Sequence, residues 1–404
     1  MDIRENTCPA CGYHVAVQFL KENNQPLATL AWPADIDSAE KLLKFPLDFV
    51  RCVNCGHIYN AKFDYHCVPY SQNPNLMFNK GALWSEFINN IQKKIIEFIP
   101  DNPVVIEIGH GDGSFLHSLS NLCPSGKFTG FDPHGVKMEE TYGSLSLTFR
   151  NELFIPFEHF AELKPDLIIS RHVLEHLVNP LGFLQQLSVA ADVHSLSPVS
   201  YFEVPCIDRV LETGRTVDFY YEHSSQFTSN SFREMLKQST LAIDQIGYGY
   251  EGEVIYCFSG IRSDNKSINI MDESKGFYDI NETALETIKA QLDDLCQSGM
   301  KVAIWGGTGK SSAFICRYEL DRIRFPIVID SDQNKVGTYV PGTGQEIKFR
   351  DWLFTHPVDI IVIPPQWRAR DIIYEIAENN ISYSQILIEH NGRLINFDTE
   401  LHPY

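Results

Sequence analysis

The stretch from Val104 to Leu116 constrains this chain more than any other. It reads Val-Val-Ile-Glu-Ile-Gly-His-Gly-Asp-Gly-Ser-Phe-Leu: a run rich in β-branched residues, a turn with three glycines, then the start of a helical pattern. β-Branched residues suit a pleated, buried strand, and glycine lets the backbone turn sharply and approach a ligand because no Cβ intervenes. A strand, a tight loop and a helix N-terminus in that order predict an α/β unit. The turn formed by Gly109, Gly111 and Gly113 says little alone, since many nucleotide-binding folds share it. Two acids narrow the reading. Glu107 lies inside the strand, and Asp132 follows a second apolar run, Phe128 to Phe131, at about the spacing where such folds hold ribose hydroxyls. A structural βαβ turn with no ligand is the competing reading, and the joint occurrence of the glycines and both acids argues against it.

A chain of 404 residues exceeds one ordinary core, so two or three domains are expected. Its net charge of −19 disfavours nucleic acid and anionic membrane as partners, because phosphate would be repelled. No apolar run approaches the roughly 20 residues that span a bilayer, and the N-terminus lacks a basic segment followed by an apolar one. A cytoplasmic protein is therefore expected. The ten cysteines include two CxxC pairs, Cys8 with Cys11 and Cys52 with Cys55, each followed by glycine. Two such turns supply the four thiolates of a tetrahedral zinc ion, and a redox dithiol is the alternative for either pair. Four thiolates leave no open position, so the metal is expected to be structural. Cys67 and His57 lie near in sequence and are read as bystanders.

From Phe63 to Asn75 the chain is aromatic, polar and irregular, either a linker or a substrate-contacting loop. Leu83, Trp84, Phe87, Ile88, Ile91, Ile95 and Ile96 recur at helical spacing and predict an amphipathic helix that Pro100 and Pro103 close. Asp166 to Ser170 predicts a strand whose carboxyl end delivers Arg171, His172 and His176 toward a ligand crevice. A helical metal pair at His172 and His176 is disfavoured because HExxH order is absent. Ser200 to Pro205 is another strand. Then comes Asp218-Phe-Tyr-Tyr-Glu-His223, before a helix from Ser231 to Gln238. A histidine flanked by a glutamate and tyrosines suits proton transfer, and a helix-capping segment with incidental aromatics reads equally well. Ser263 to Asp279 turns polar and marks the best boundary. Beyond it a helix, Glu282 to Cys296, and a strand, Lys301 to Trp305, lead into Gly306-Gly-Thr-Gly-Lys-Ser-Ser312. Ile304 occupies the position where a Walker loop needs glycine, so nucleotide hydrolysis is not expected, although the helix N-terminus can still accept an anion. Strands at Phe325 to Ile329 and Val358 to Ile363 complete a smaller Rossmann-like unit.

The glycine loop with its two acids resembles the first motifs of class I S-adenosylmethionine-dependent methyltransferases, in which the loop lies under the methionine part and the second acid holds the ribose. Over nearly its whole length the chain also resembles the bacterial C-methyltransferases of nucleotide-linked deoxysugars. The markers are Phe45 to Asp48, Val173-Leu-Glu-His176, Tyr220 to His223, Gly306 to Lys310, and Lys335 to Thr343. Two departures stand out. Tyr221-Glu222-His223 replaces the family's His-Glu-His, and the glycine loop differs from its commoner Ser-Asn-Asp-Gly form.

That resemblance implies a zinc-binding domain over 1–69, a class I methyltransferase domain over 70–262 and a C-terminal Rossmann-like domain over 263–404. It implies S-adenosylmethionine near Glu107, Gly109, Gly111, Asp112, Gly113, Asp132, Arg171 and His172, and structural zinc on Cys8, Cys11, Cys52 and Cys55. His223 is implied as the general base, with Tyr220, Glu222, His176 and Tyr70 around it. The turn of Gly306, Gly307, Gly309, Lys310 and Ser311 is expected to hold the diphosphate of a nucleotide-linked sugar. The expected reaction is C-methylation alpha to the ketone of a 4-keto-deoxysugar. An O- or N-methyltransferase on the same scaffold would need no carbon base, and a zinc-ribbon adaptor would not bind S-adenosylmethionine. The sugar, the nucleotide and the oligomeric state are not legible in the sequence.

Overall fold

The computed structural model describes residues 2–68, 81–135, 138–261 and 266–404. They fall into two compact units, Met1–Ile268 and Asn269–Tyr404.

The first unit is built on an eight-stranded sheet. In spatial order its strands are Ala242–Gly249, Val254–Gly260, Val199–Pro205, Leu167–Arg171, Val104–Ile108, Gly126–Phe131, Leu145–Arg150 and Met138–Tyr142. The five from Val199–Pro205 to Leu145–Arg150 run parallel, and Val254–Gly260 inserts antiparallel beside Val199–Pro205. The order reverses at the glycine-loop strand, so the carboxyl ends of Val104–Ile108 and Leu167–Arg171 flank the switch point, where such sheets bind ligands. The strands are apolar on both faces because both are covered, as parallel sheets require. Helix Ala82–Glu97 lays Trp84, Phe87, Ile91 and Ile95 against one face, close to the stripe expected from its periodicity, although Leu83 faces solvent. Burial of each such side chain contributes about 1.5–3 kcal/mol.

A second sheet in this unit is wholly antiparallel: Ile3–Glu5, Val15–Gln25, Phe45–Cys52, Ile58–Asn60 and Ser225–Gln226. Its last strand comes from the segment just after His223. The N-terminal module thereby grips the loop that carries the expected base, and Asn60 N donates to Ser224 O at 2.9 Å. The expected ranges 1–69 and 70–262 thus share a sheet.

In the second unit six strands follow the order Ile347–Phe349, Ile327–Asp330, Val302–Trp305, Ile360–Val362, Gln385–His390 and Arg393–Asn396, parallel except for the final hairpin. The polar stretch from Ser263 to Asp279 was expected to be the domain boundary, with a helix beyond it from Glu282 to Cys296, and the division between the units does fall within that stretch. The helix starts earlier, as the 32-residue Lys266–Gln297, whose Ala284, Ile288 and Leu292 are buried in the core of this unit. Its exposed first half carries Ser, Asn, Asp and Lys on a solvated face, and composition alone could not separate that from a loop. Among the described residues, no helix is long and apolar enough to cross a membrane.

Candidate active site

The four paired cysteines converge. Cys8 and Cys55 sulfurs lie 3.7 Å apart, as do those of Cys11 and Cys52, and all four fall within 4.8 Å of one another. Zinc–thiolate bonds of about 2.3 Å in a tetrahedron place sulfurs roughly 3.8 Å apart, so the spacing fits a zinc ion and is far too long for disulfides. Each knuckle closes in the same way. Gly12 N donates to Cys8 O and Gly56 N to Cys52 O, with φ of 72° and 78° at the two glycines. Cys67 is exposed, and His57 is buried with Nε2 3.2 Å from Ser225 Oγ, so neither joins the cluster.

The glycine loop joins Val104–Ile108 to helix Ser114–Ser120. All three glycines have positive φ, and a Cβ at Gly109 would lie 2.3 Å from Val173 Cγ2. One cavity of about 770 Å³ opens beside this loop. It brings together Glu107, Gly109, Gly111, Asp112, Arg171, His172, His176, Tyr220 and His223, all expected from the sequence. Several buried polar atoms there lack protein partners: Glu107 Oε2, both His110 ring nitrogens and Arg171 Nε. Orphaned polar groups around a glycine cradle fit a polar ligand such as S-adenosylmethionine. Burial raises the Glu107 carboxyl to about 8, against the opposing charge of Arg171.

Three expected site residues lie off that cavity wall. Gly113 starts the helix, where a Cβ would press on Phe149. Asp132 accepts from Gly111 N at 3.1 Å and His134 N at 2.8 Å, so its carboxylate ties the loop to the next strand. A carboxylate offers about four lone-pair directions, and two remain for ribose hydroxyls. Glu222 is a correction. It was expected beside His223 as its carboxylate partner, yet it is buried and accepts from Thr29 N at 2.7 Å and Leu30 N at 3.2 Å, in the insertion between the knuckles. Adjacency in sequence misled, because Glu222 lies in a turn and its side chain is taken up by the N-terminal insertion, while His223 faces the cavity. Tyr70 lies outside the described residues.

His223 is held instead by Tyr220, whose hydroxyl lies 2.8 Å from Nε2, and by the ring of His176, edge-on at 4.8 Å. His176 Nδ1 lies 2.8 Å from the Glu222 carbonyl oxygen and donates to it. Burial, and then the neighbouring His176, push the His223 imidazole down to about 3, so it is neutral at physiological pH. Burial likewise pushes the Tyr220 hydroxyl well above the ordinary phenol range and keeps it a donor. The capping alternative for this segment fails on geometry: the cap of helix Ser229–Gln238 is Thr228, whose side chain accepts from Ser231 N.

Beneath the cavity lies a buried ionic network that the sequence reading missed. His172 has φ of 52°, a left-handed conformation that directs its ring between two carboxylates, 2.9 Å from Glu203 and 3.4 Å from Glu175. Arg171 reaches Glu203 at 3.1 Å, and its guanidinium lies 4.1 Å from the centre of the Phe115 ring. Burial would lower His172, but its two glutamate partners prevail and raise it to about 9. Glu203 is held at about 2 despite burial, because Arg171 and His172 stabilise its anion. The available signal was a glutamate inside the apolar run Tyr-Phe-Glu-Val and another inside Val-Leu-Glu-His. Trp84, Phe115, Tyr250 and Glu253 also line the cavity and were not singled out for it.

In the second unit Gly306 and Gly309 have positive φ, and Gly307 N donates to Asp330 at 3.1 Å. Ser311, expected to bind substrate, is buried, and its hydroxyl donates to Trp305 O at 3.3 Å. Lys310 sits over the Trp367 ring at 3.8 Å.

Residues 82–246 match the family model of a methyltransferase domain, and residues 261–388 match that of the C-methyltransferase C-terminal domain. The chain is an S-adenosylmethionine-dependent methyltransferase. The methyltransferase domain includes the glycine loop and every cavity histidine, and its sheet has the class I fold. Among solved structures, the chain is similar to a magnesium protoporphyrin IX methyltransferase from Synechocystis PCC 6803 with bound S-adenosylhomocysteine, at 16% identity, covering 46% of this chain and 91% of that one with a TM-score of 0.34. It is also similar to a complex of the Haloferax volcanii Trm112 activator with a putative methyltransferase (10%, 45% and 92%, TM-score 0.35). A third likeness is a methyltransferase from Aquifex aeolicus (12%, 45% and 100%, TM-score 0.31). No curated protein matches the chain by sequence.

Proposed function

We propose that this methyltransferase methylates carbon alpha to the ketone of a nucleotide-linked 4-keto-deoxysugar, with His223 as general base. The observation that carries the reading is the Tyr220–His223–His176 cluster opening into the same cavity as the glycine loop. A match to a C-methyltransferase C-terminal domain supports carbon as the acceptor. Heteroatom methylation needs no such buried, neutral imidazole.

A carbon nucleophile must first be generated. His223, neutral and desolvated, takes the proton alpha to the ketone, and the Tyr220 hydroxyl donates to the enolate oxygen that develops. The donor, when bound, supplies an electrophilic sulfonium methyl. With Glu107 protonated, Asp112, Glu175 and Glu253 face Arg171 and the protonated His172 around the cavity, so the lining has no excess of cations for a diphosphate and suits the donor and a neutral sugar ring better. The Gly306 to Lys310 turn of the second unit, taken by itself, is assigned to a diphosphate group, since a helix N-terminus and Lys310 favour an anion. The four cysteines are assigned a structural zinc ion. Thr29 and Leu30, from the insertion that follows the first knuckle, hold Glu222 and so fix the backbone next to His223.

The test uses a panel of nucleoside-diphosphate 4-keto sugars. Wild-type enzyme should add one methyl by mass and exchange the alpha proton in deuterated water. His223→Asn should lose both by about 10²–10⁴-fold, the usual worth of a general base, while donor affinity persists. Exchange retained in the variant would dismiss His223, and methylation without exchange in wild type would favour an oxygen or nitrogen acceptor.

A further inference from the structure

Among the titratable groups around His223, Glu175 is the carboxylate that shares a cluster with its ring. Tyr220 and His176 face it directly, and His172 stands behind Glu175. Glu175 is 1% exposed; its Oε1 lies 3.4 Å from His172 Nδ1, and its Oε2 has no hydrogen-bond partner among the described residues. A carboxylate oxygen of Glu175 and one ring nitrogen each of His176 and His223 lie within 4.8 Å of one another. The turn Leu174–His176 is locked to the His223 segment, since the Ser224 hydroxyl donates to Glu175 O at 3.3 Å. Glu203 then braces His172 from below at 2.9 Å.

We propose that Glu175, and not Glu222, is the carboxylate partner of the active-site imidazoles, a positioning residue that stabilises the imidazolium formed at His223. This rests on the carbon-acid reading above. In the step concerned, the C–H bond alpha to the ketone breaks, its electron pair remains as the enolate, and the proton moves to a ring nitrogen of His223. The new cation is buried, and a buried unpaired charge is costly. Glu175 supplies the compensating anion. The pair His172 and Glu203 holds that anion in place, much as a base is oriented by a third group. Glu222 is tied instead to the insertion between the knuckles, its Oε1 accepting from Thr29 N and Leu30 N.

The experiment compares wild-type, Glu175→Gln and Glu175→Asp enzymes. Alpha-proton exchange is followed on a nucleoside-diphosphate 4-keto-6-deoxyhexose in deuterated water, and the imidazole ¹⁵N shifts of His176 and His223 with S-adenosylmethionine added. Glu175→Gln should slow exchange and methylation together by roughly a hundredfold with KM little changed, and it should move the ¹⁵N shifts. Glu175→Asp should recover part of the rate. A merely structural role would raise KM or lower Tm and leave the ¹⁵N shifts in place. Wild-type exchange with an equal rate in a folded Gln variant overturns the inference and leaves the base assignment standing. Absence of exchange in wild type overturns the carbon-acid reading instead, and the ¹⁵N shifts still decide the partnership. If the Gln variant does not fold, a wild-type rate in the Asp variant with unmoved shifts overturns the inference. A second metal equivalent in wild type, lost from either variant, overturns it by making Glu175 a ligand.

Discussion

The chain contains the same backbone device twice, once in each unit, and only one copy is equipped for acid–base chemistry. In both, a parallel strand runs into a glycine turn. The turn's first glycine donates to the end of the neighbouring strand: Gly109 N to Phe131 O at 2.7 Å, its last residue, and Gly306 N to Ile329 O at 2.6 Å, its last but one. In both, the aspartate that follows that residue accepts from the loop and from the amide two residues on, Asp132 from Gly111 and His134, Asp330 from Gly307 and Asp332. The difference lies in what surrounds the turn. Two residues before the first glycine stands Glu107 in one copy and Ile304 in the other. The next parallel strand, Leu167–Arg171 in one and Ile360–Val362 in the other, leads into His172 in the first and into Ile363 and Pro364 in the second. Beside the second turn Ile347 fills the space, where a Cβ on Gly307 would lie 2.2 Å from it, and Lys335 sits 3.3 Å from Asp330. One device cradles a ligand against buried ionisable groups. The other offers amides and lysines, suited to holding an anion and with nothing to move a proton.

The largest expected effect would break the first copy and spare the second. Chelation of the metal, or Cys52→Ser, should unfold the antiparallel sheet, because structural zinc contributes on the order of 10 kcal/mol to such modules. The sheet includes Ser225–Gln226, so the His223 loop should go with it and methylation should stop. Binding of a nucleoside diphosphate at the second turn should survive in calorimetry. Metal analysis finding no zinc in the wild-type protein would refute the premise.

Next in size is a contrast between the two aspartates. Asp132→Ala should weaken donor binding by about 1.5–3 kcal/mol if it holds the ribose, and Asp330→Ala should leave donor affinity unchanged. Asp132 also anchors the loop, so a donor lacking one ribose hydroxyl supplies the control. Its loss and the loss in the variant should fail to add, as they must if both remove one interaction. Smaller again, Lys310→Ala should raise KM for the nucleotide sugar about tenfold, roughly 1.4 kcal/mol, with donor affinity intact. An unchanged KM would take the diphosphate away from the second turn.

Both turns were legible because glycine patterns are local: a strand, a bend and a helix lie within a dozen residues. The paired cysteine knuckles, whose four sulfurs converge, were legible for the same reason. What the sequence hid depends on contacts far apart along the chain. Glu222 stands next to His223, yet its partners are Thr29 and Leu30, joined to it only when the N-terminal sheet recruits Ser225–Gln226 as its last strand. Glu175 stands next to His176 in a noticed motif, but its meaning depends on His172 adopting φ of 52° and on Glu203 two strands away from the glycine loop. The edge strands Met138–Tyr142 and Ala242–Gly249 were also missed, since neither carries a clean alternation against turn signals.

The smallest effect concerns Glu107, the residue that most clearly separates the two turns. Its folded carboxyl is raised by burial from 4.5 to about 8, so the folded chain keeps a proton that the unfolded chain releases near pH 4.5. Between those values the unfolded state binds fewer protons, and stability falls as pH rises, with the loss complete above about 8. His172, raised from 6.5 to about 9, adds a loss in the same direction over pH 6.5 to 9, whereas Glu203, lowered from 4.5 to about 2, acts only as pH falls below 4.5. Glu107→Gln removes the first contribution alone. Its calorimetric Tm should match wild type near pH 4.5 and exceed it by a few degrees at pH 8, with the difference developing between. Ile304 occupies the matching place in the second turn, so a transition assigned to the second unit should show no such divergence. Equal melting of variant and wild type at pH 8 would mean that Glu107 is ionised and paired in the folded protein. The first turn would then carry one more anion beside Arg171 than the neutral carboxyl described above.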